Sequence, residues 1–505
     1  MCIIGFVRAS CIEQLPLLPG GENRNESMDP LPPCQLMHNL IVSGLDVKYL
    51  DYNSKHMADI KISIIGAGSA VFSLSLVRDL CLTPNLQGST VSFMDINEER
   101  LNAVHGLCNR YANEMRAKFK LEKTTVRRQS LQDANFVINT ALAAGHDRLR
   151  DGWAIARKYG YRFGGSYHIM HDEAFWINFY QLKLFDSVIE DITDLCRDAW
   201  YIQVANPVLA GITHFDRKYP GLKSVGLCHG FAGIYRIADV LGLEKKHLNF
   251  QIPGVNHFVW LTDFYYKGEN AFPILDAWIA KHATSYWEHC GSCNDLGPKA
   301  IDLYRRFRVF PIGDTCNPGG GTWPWWYHAN SESEKKWKEN PEGWWNEYFR
   351  SYLDQMNQIV TLFGDATRKV TEVFPPEHSG ENIVPLVESL ACDIPRVMQV
   401  NIPNSGNFVE GVPADFEVEV PGLVSKAGIQ GIKTKGLPQP LKSIMQRERV
   451  AQVEVELEAY MRHSREMLLQ LILTDPWTKS PEQAENLLKD ILSMSCHQEM
   501  TQHYK

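Results

Sequence analysis

A β-branched apolar run that closes on glycines is the feature that most restricts the fold of this chain. Residues 61–65 read Lys-Ile-Ser-Ile-Ile, and Gly66-Ala-Gly68 follows at once. Apolar residues then recur at helical spacing from Leu74 onwards. A strand, a tight glycine turn and a helix in this order form the first unit of a Rossmann-type domain, whose glycines let the backbone approach a pyrophosphate. The fingerprint is incomplete, because Val71 takes the place of its third glycine.

An acidic residue ends the next predicted strand, at residues 90–95. A carboxylate there accepts hydrogen bonds from ribose hydroxyls and repels a 2′-phosphate, so Asp95 favours NAD over NADP. The alternative is that Asp95 only caps the helix that starts near Asn97. We predict the third and fourth strands at residues 124–127 and 135–140. The residues predicted to bind the nucleotide are Gly66, Gly68, Ser69, Ala70, Val71, Phe72, Asp95, Asn139 and Thr140.

Charge and hydropathy exclude two classes of partner. The 505 residues carry 51 Lys and Arg against 59 Asp and Glu, a formal net charge of -8. Nucleic acids and anionic membranes select for clustered positive charge, which this sequence lacks. Its apolar runs stop well short of the roughly 20 residues that cross a bilayer. We therefore expect no nucleic-acid partner and no membrane partner.

The cysteines indicate the compartment. The 12 cysteines show no regular disulfide spacing, so we expect a reducing, cytoplasmic setting. Cys290-Gly-Ser-Cys293 is a lone Cys-x-x-Cys and predicts a surface loop.

Residues 1–56 differ from the rest of the sequence. Pro, Gly and Asn are frequent in residues 15–33, and no helical or strand period is sustained. The order of charged and apolar residues is not that of a secretion signal. We predict an N-terminal extension that is disordered or non-native and carries no chemistry, with the folded protein starting at Met57.

Six short motifs occur in one order along the chain. They are Gly66-Ala-Gly-Ser-Ala-Val-Phe72, Met94-Asp-Ile-Asn-Glu-Glu-Arg100, Ala205-Asn-Pro207, Gly226-Leu-Cys-His-Gly230, Gly254-Val-Asn-His257 and Pro311-Ile-Gly-Asp-Thr315. From about Lys61 to the C-terminus this order resembles glycoside hydrolase family 4, and most of all its α-glucosidase branch, which acts on unphosphorylated glucosides.

The resemblance implies an α/β fold of lactate/malate dehydrogenase-like architecture. A Rossmann-type NAD-binding domain at residues 57–253 would be followed by a C-terminal α+β catalytic domain at residues 254–505. The resemblance also implies a small-molecule glycoside as substrate and assembly as a homodimer or homotetramer.

A cysteine and a histidine each follow a predicted strand. Cys228 comes after residues 224–227, and His257 follows residues 250–255. A thiolate and an imidazole leave positions open for substrate oxygens, as in catalytic metal sites, although both residue types are also common in protein cores. The resemblance implies that the pair holds Mn²⁺, and Co²⁺, Ni²⁺ or Fe²⁺ could substitute because such a site discriminates weakly.

The resemblance further implies a redox route to glycoside hydrolysis. NAD⁺ oxidises C3 of the sugar, a base removes the C2 proton and the aglycone is eliminated, after which water addition and re-reduction restore the sugar and the NAD⁺. Asp314 matches the C2 base, Asn206 the asparagine that contacts the sugar near C2 and C3, and Asp172 a substrate-contacting aspartate of the catalytic site. His229, directly after the metal cysteine, is the candidate proton donor. Plainer readings are turn residues for Asp314 and Asn206, and an orienting neighbour of Cys228 for His229.

The residues around these motifs bear on the substrate. Cys228-His-Gly resembles both the α-glucosidase and the α-glucuronidase branches, whereas phospho-sugar branches have Cys-Asp or Cys-Asn. The tryptophans of residues 322–327 could stack on a sugar or belong to the core. Arginines near the motif segments could recognise a carboxylated sugar; these are Arg148, Arg150, Arg305, Arg306 and Arg308.

Hydrolysis of α-glucosides is therefore the predicted activity. An α-glucuronidase is the alternative within the family. A plain NAD-dependent 2-hydroxyacid dehydrogenase and a non-catalytic NAD-binding protein are the rivals from other classes.

Overall fold

A computed structural model of the protein describes residues 57–289, 295–317 and 323–505, apart from the side chains of Ala70 and Val71. The predicted N-terminal extension and the Cys290-Gly-Ser-Cys293 loop lie outside these residues. One β-sheet runs through both predicted domains, and their division at residue 253 stays a prediction.

The strands of the described residues form a 12-stranded and a three-stranded sheet. They are β1 (Lys61–Ile65), β2 (Thr90–Met94), β3 (Lys120–Thr124), β4 (Phe136–Asn139), β5 (Trp200–Gln203), β6 (Ser224–Gly226), β7 (Leu248–Gln251), β8 (Gly254–Val255), β9 (Phe258–Leu261), β10 (Asp263–Tyr266), β11 (Glu269–Asn270), β12 (Phe310–Pro311), β13 (Arg396–Pro403), β14 (Glu417–Ser425) and β15 (Gly428–Gly431).

The helices cover the faces of the large sheet and build the C-terminal part. They are α1 (Ala70–Cys81), α2 (Glu98–Glu114), α3 (Arg127–Leu131), α4 (Gly145–Lys158), α5 (Phe175–Leu195), α6 (Val208–Lys218), α7 (Gly233–Leu241), α8 (Phe272–His289), α9 (Pro298–Phe307), α10 (Ser331–Trp337), α11 (Pro341–Gly364), α12 (Val370–Val373), α13 (Ile383–Cys392), α14 (Gln439–Met445), α15 (Ala451–Arg462), α16 (Arg465–Leu473), α17 (Pro481–Leu492) and α18 (Gln498–His503). A π-helical turn, Gln446–Val450, joins α14 to α15. Among the helices of the described residues, none has the length and apolar character that a membrane crossing needs.

The first half of the large sheet is parallel. Its strands run in the order β3-β2-β1-β4-β5-β6, the strand order of a Rossmann domain. The chain reverses its direction of travel across the sheet between β1 and β4, and ligands bind in the crevice outside the carboxyl ends of the strands at such a point. The predicted Rossmann-type α/β fold is confirmed.

The second half of the sheet is antiparallel. Strand β13 pairs with β6, and β14, β8, β9 and β12 follow in that order. One continuous sheet therefore carries both the loop after β6 and the turn between β8 and β9, although 28 residues of chain lie between the strand ends Gly226 and Val255.

Two predicted strands differ from the observed ones. The third strand is Lys120–Thr124, and the predicted residues 124–127 instead lead into helix α3. This strand lies at the sheet edge and is mostly exposed, so it lacks the apolar run by which a buried strand is found. Residues 250–255 are divided between β7 and β8, because Pro253 has no N–H to donate to a strand ladder.

A buried carboxyl group ties the C-terminal helices to the segment before α5. Asp475, between α16 and α17, is 8% exposed. Its carboxyl group accepts hydrogen bonds from the Ser166 hydroxyl and from the Trp477 N–H. Burial raises the pKa of Asp475 from its usual 3.8 to about 7.

The Asp475→Asn variant should remove part of the pH dependence of stability. Because the folded protein holds this proton more tightly than the unfolded chain does, the free energy of unfolding falls as the pH rises from 3.8 to about 7 and stays low above that. Asparagine has no such proton to lose. In urea unfolding we expect the variant to exceed the wild type by up to about 4 kcal/mol at pH 8, and the gain to shrink towards pH 4.

The fully exposed side chain of Asp198 supplies the control, Asp198→Asn, which should change stability little at either pH. An Asp475→Asn effect of the same size at both pH values would contradict the prediction.

Candidate active site

A cleft of about 490 Å³ opens at the carboxyl edge of the parallel strands. Five residues predicted to bind the nucleotide line it: Gly66, Gly68, Ser69, Asp95 and Thr140. Phe72 and Asn139 are buried behind its wall. The Asn139 side chain accepts from the Ala141 N–H at 3.1 Å and donates to the Tyr201 hydroxyl at 2.8 Å, so it holds the loop after β4. Ala70 and Val71 begin α1.

Gly66 and Gly68 pack so closely against neighbouring residues that neither position could carry a side chain. Gly66 has φ +86°, and a Cβ atom there would lie 2.6 Å from the Ala141 Cα atom. A Cβ atom on Gly68 would lie 2.6 Å from Asp95 Oδ2, which instead accepts a hydrogen bond from the Gly68 N–H at 2.8 Å. Asn97 is the N-cap of α2 and accepts from the Arg100 N–H. Asp95 is thus fastened to the glycine turn, at the floor of the cleft.

The sequence did not reveal the opposite wall of the cleft, which α11 supplies. Phe349, Tyr352 and Leu353 line the cleft from this helix. The His146 ring packs against the edges of Phe349 and Tyr352, at 5.3 and 4.9 Å between centroids, and burial lowers the pKa of His146 to about 4. About 200 residues of chain separate the two walls, and the local sequence carries no signal for a contact of that range.

Three predicted residues converge next to this cleft. Cys228 follows β6, His257 is the second residue of the two-residue turn between β8 and β9, and Asp314 lies in a 3₁₀ turn after β12. Their candidate ligand atoms all lie within 4.8 Å of one another, with 3.3 Å between His257 Nε2 and Asp314 Oδ2. A thiolate, an imidazole and a carboxylate together suit a divalent transition metal and leave coordination positions open.

Backbone geometry fixes these loops. His257 has φ +60°, a left-handed conformation that costs a non-glycine residue about 1–3 kcal/mol and is concentrated at functional sites. Gly313 has φ +53°, and a Cβ atom there would lie 2.2 Å from the Gly230 carbonyl oxygen. The loop that carries Cys228 therefore packs backbone to backbone on the loop that carries Asp314.

Asp172 and Asn206 form the second predicted pair. Asn206 Nδ2 donates to Asp172 Oδ2 at 3.0 Å. His171 Nδ1 lies 3.0 Å from Asp172 Oδ1; although burial opposes ionisation, this imidazole lowers the pKa of Asp172 below its usual range. Asp172 also interacts electrostatically with His257, so both predicted groups belong to one site. His229 Nδ1 lies 3.6 Å from Glu381 Oε1 at the margin of this site.

Buried carboxyl groups that the sequence reasoning missed surround His257. Glu173 Oε1 lies 3.0 Å from His257 Nδ1. Glu417 accepts from the Asn256 N–H, and Glu419 accepts from the Asn256 side chain, each at 3.1 Å. Burial raises the pKa of Glu419 to about 7 and that of Glu417 well above its usual range. The sequence offered one signal for these groups, since Glu417 and Glu419 alternate with valines at the start of strand β14.

Comparison with known proteins agrees with this geometry. A model described as "Family 4 glycosyl hydrolase" matches residues 61–243, and one described as "Family 4 glycosyl hydrolase C-terminal domain" matches residues 252–478. The chain belongs to glycoside hydrolase family 4.

Similar proteins cover more than four fifths of this chain. An α-galacturonidase of Thermoanaerobacterium saccharolyticum is 23% identical over 462 residues, which is 87% of this chain and 97% of the relative. An α-glucosidase of Erwinia rhapontici is 25% identical over 445 residues, 82% of this chain and 93% of the relative. The 6-phospho-β-glucosidase of Thermotoga maritima, solved with manganese, NAD⁺ and glucose-6-phosphate, shares the fold at a TM-score of 0.69 and 18% identity, covering 88% of this chain and 99% of that one.

The remaining predicted substrate residues of this family 4 enzyme lie in different surroundings. Trp323 is buried and packs on Phe258 and Trp260, at 5.2 and 5.9 Å between ring centroids, so it belongs to the core. Trp326 is 36% exposed. Thr322 lies outside the described residues.

The five candidate arginines are spread over the protein. Arg148 lies 4.5 Å above the Tyr180 ring, and Arg150 is paired with Asp147 beside the nucleotide cleft. The other three, Arg305, Arg306 and Arg308, are exposed at the end of α9.

The contact between the Gly230 and Gly313 loops can be tested by Gly313→Ala. The new Cβ atom would meet the Gly230 carbonyl oxygen in addition to the cost of a positive φ, so we expect the free energy of unfolding to fall by about 2–5 kcal/mol in urea unfolding. Gly268→Ala is the matched control, since Gly268 has φ +86° with nothing within 4 Å, and it should lose only about 1–2 kcal/mol. Equal losses in both variants would show that the loop contact contributes nothing.

Proposed function

We propose that this family 4 enzyme is an NAD- and divalent-cation-dependent glycosidase that hydrolyses unphosphorylated α-glucosides. The observation that carries the proposal is the convergence of Cys228, His257 and Asp314 beside the nucleotide cleft, with their candidate ligand atoms within 4.8 Å of one another. A relative named α-glucosidase and a structure solved with manganese and NAD⁺ support it. Cytoplasmic location and homo-oligomeric assembly remain predictions.

The residues of this chain fit both NAD⁺ and a divalent cation. Gly66 and Gly68 line the cleft with a tight turn that packs against Ala141 and Asp95, so backbone is presented where a pyrophosphate would bind, and Asp95 stands where a ribose would bind. Cys228 and His257 would hold Mn²⁺, since a Cys and His pair with oxygen ligands accepts such metals. When bound, NAD⁺ supplies reversible oxidation at C3 of the sugar, and the cation supplies Lewis acidity to the hydroxyls beside it.

Asp314 is the base that removes the proton from C2. Its Oδ1 atom accepts a hydrogen bond from Asn317 Nδ2 at 3.1 Å, which orients the carboxylate and directs Oδ2 to the His257 side of the site. Oxidation at C3 acidifies the C2–H bond, and its electron pair then expels the aglycone as the C1–O bond breaks. The chain's contribution is a carboxylate held in place before the proton is released.

Asn206 and Asp172 bind the sugar. Their mutual hydrogen bond presents one amide and one carboxylate to neighbouring hydroxyls, the pairing that fixes a sugar's orientation. His229 is the proton donor to the leaving oxygen, and Glu381 stands behind it at 3.6 Å. Water then adds to C1, and reversal of the proton and hydride steps returns the hexose.

The charges around the site favour a neutral sugar over a carboxylated one. The candidate arginines are exposed or already paired with a carboxylate or an aromatic ring. The carboxylates of the site would also repel the carboxylate of a hexuronide substrate; they are those of Asp172, Glu173 and Asp314. The second candidate is an α-hexuronide, a glucuronide or galacturonide, which the relatives named α-galacturonidase favour.

A panel of p-nitrophenyl α-glucoside, α-galactoside, α-glucuronide and α-galacturonide tests the proposal, with NAD⁺, Mn²⁺ and thiol present. We expect hydrolysis of the α-glucoside that stops in EDTA, returns with Mn²⁺, needs NAD⁺ and accumulates no NADH. Hydrolysis of an α-hexuronide alone would establish the second candidate. Formation of one NADH per substrate consumed would identify a dehydrogenase. Hydrolysis that depends on neither NAD⁺ nor metal would contradict the proposed mechanism.

Asp314→Asn tests the C2 base. An amide cannot accept the proton, so we expect kcat to fall about 10²- to 10⁴-fold. With substrate deuterated at C2, the wild type should release the label to solvent, and the variant should retain it. Asp302→Asn is the control, because Asp302 lies on α9, pairs there with Arg306 and accepts a hydrogen bond from the Tyr327 hydroxyl; this variant should keep near-normal turnover. Release of label by Asp314→Asn at the wild-type rate would assign the base elsewhere.

A further inference from the structure

His257 has a carboxylate on each ring nitrogen. Nε2 faces Asp314 Oδ2 at 3.3 Å, in the group that includes Cys228. Nδ1 faces Glu173 Oε1 at 3.0 Å. The side chains of His257 and Glu173 are 1% and 0% exposed, so water does not compete for this contact. The two nitrogens therefore have separate environments: one faces the candidate cation site, and the other faces a buried carboxylate.

Glu173 is itself held from the other side. Its Oε2 atom accepts a hydrogen bond from the Tyr167 hydroxyl at 2.5 Å. The Arg449 guanidinium lies 4.5 Å from the centre of the Tyr167 ring and is 1% exposed. It also interacts electrostatically with Glu173. A buried carboxylate is tolerated where hydrogen bonds and a cation compensate it, and Tyr167 and Arg449 provide both.

Arg449 reaches this position from an unusual backbone. It belongs to the π-helical turn Gln446–Val450, and π-helical turns inside α-helices are frequent at functional sites. The turn inserts an extra residue between α14 and α15. This places a fully buried cation beneath the aromatic ring that supports Glu173.

The backbone of His257 is fixed independently of its ring. Glu417 and Glu419 accept hydrogen bonds from the main chain and side chain of Asn256, the preceding residue of the turn. These contacts hold the turn in which His257 adopts φ +60°. They do not fix the rotation of the imidazole about its side-chain bonds, which Glu173 constrains from Nδ1, the nitrogen that faces away from the candidate cation site.

We propose that Glu173 is a positioning residue, which orients the His257 imidazole for the divalent cation and is itself held by Tyr167 and Arg449. The proposal rests on the proposed function, because it presumes that Nε2 of His257 binds the metal. A carboxylate at Nδ1 keeps the proton on that nitrogen and the lone pair on Nε2, and it fixes the plane of the ring. Glu173 touches neither the sugar nor the reacting carbons in this assignment.

Mn²⁺ binding to the enzyme without substrate or NAD⁺ tests this role directly. Free Mn²⁺ is followed by its electron paramagnetic resonance signal in a titration of metal-free protein. We expect Glu173→Gln to raise the Kd for Mn²⁺ about 10- to 100-fold. Tyr167→Phe retains the carboxylate and loses only its anchor, so it should raise the Kd by a smaller factor, and it serves as the informative variant if Glu173→Gln does not fold.

Asp186→Asn is the matched control. The Asp186 carboxylate is largely buried and lies 2.8 Å from the Nε2 atom of another buried histidine, His214, which is no candidate ligand. This variant makes the same carboxylate-to-amide change beside a buried histidine and should leave the Kd for Mn²⁺ unchanged. A uniform rise in Kd across all three variants would indicate general loosening of the fold and would overturn the proposal.

The remaining outcomes separate the two levels of inference. No Mn²⁺ binding by the wild type, or binding unaffected by His257→Ala, would contradict the proposed function. Binding that is lost in His257→Ala but unchanged in Glu173→Gln and Tyr167→Phe would overturn the positioning role alone. Two Mn²⁺ ions per wild-type chain, one of them lost in Glu173→Gln, would also overturn it, since Glu173 would then be a ligand.

Discussion

The site depends on a single antiparallel contact that joins two kinds of sheet. Gly226, at the end of the last parallel strand, pairs with Asn401 of β13, whose side chain donates to the Gly226 carbonyl oxygen at 3.2 Å. A Cβ atom on Gly226 would lie 2.5 Å from Val208 and 2.9 Å from the Asn401 Cβ atom, so only glycine permits the approach. This junction joins the parallel strands to the antiparallel ones in a single sheet. The loop with Cys228, after β6, and the turn with His257, between β8 and β9, are therefore held by the same sheet.

Several carboxyl groups are buried close together around His257, and their mutual repulsion and desolvation cost free energy. The surrounding structure compensates part of this cost. Asp314, Glu173, Glu417 and Glu419 all approach His257 or its turn, and each is almost fully buried. Two answers are visible: burial raises the pKa of Glu417 and Glu419, which favours their neutral forms, and Arg449 supplies a buried positive charge near Glu173. Asp314, at 4% exposure, is the least buried of the four, and a divalent cation held by Cys228 and His257 would add positive charge beside it.

Sequence reasoning found what is encoded locally and missed what is encoded by distant contact. The turn of Gly66 and Gly68 lies within one short segment, and its conformation follows from the residues themselves. Glu173 lies next to the predicted Asp172, but the sequence does not mark it, because its contact with His257, more than 80 residues later, forms only in the folded chain. Strand β3 was misplaced for a related reason: an exposed edge strand is not marked by an apolar run, and periodicity reports burial rather than pairing.

The proposed chemistry requires the nucleotide site and the base to act on adjacent carbons of one sugar. A buried glutamine links the two sides of the active site. In the proposed mechanism the hydride would leave C3 towards the nucleotide site and the proton would leave the adjacent C2 towards Asp314, so a shift of either wall by one bond length would break the sequence of steps. Gln181 donates to the Asn206 carbonyl oxygen at 2.7 Å and to the Ala141 carbonyl oxygen at 3.1 Å, and it accepts from the Ala143 N–H at 2.6 Å. Ala141 and Ala143 line the nucleotide cleft, whereas Asn206 is hydrogen-bonded to Asp172 on the side proposed to bind the sugar. Because Gln181 is fully buried on α5, the spacing between the two centres is set by the rigid core and not by the surface loops that admit substrate.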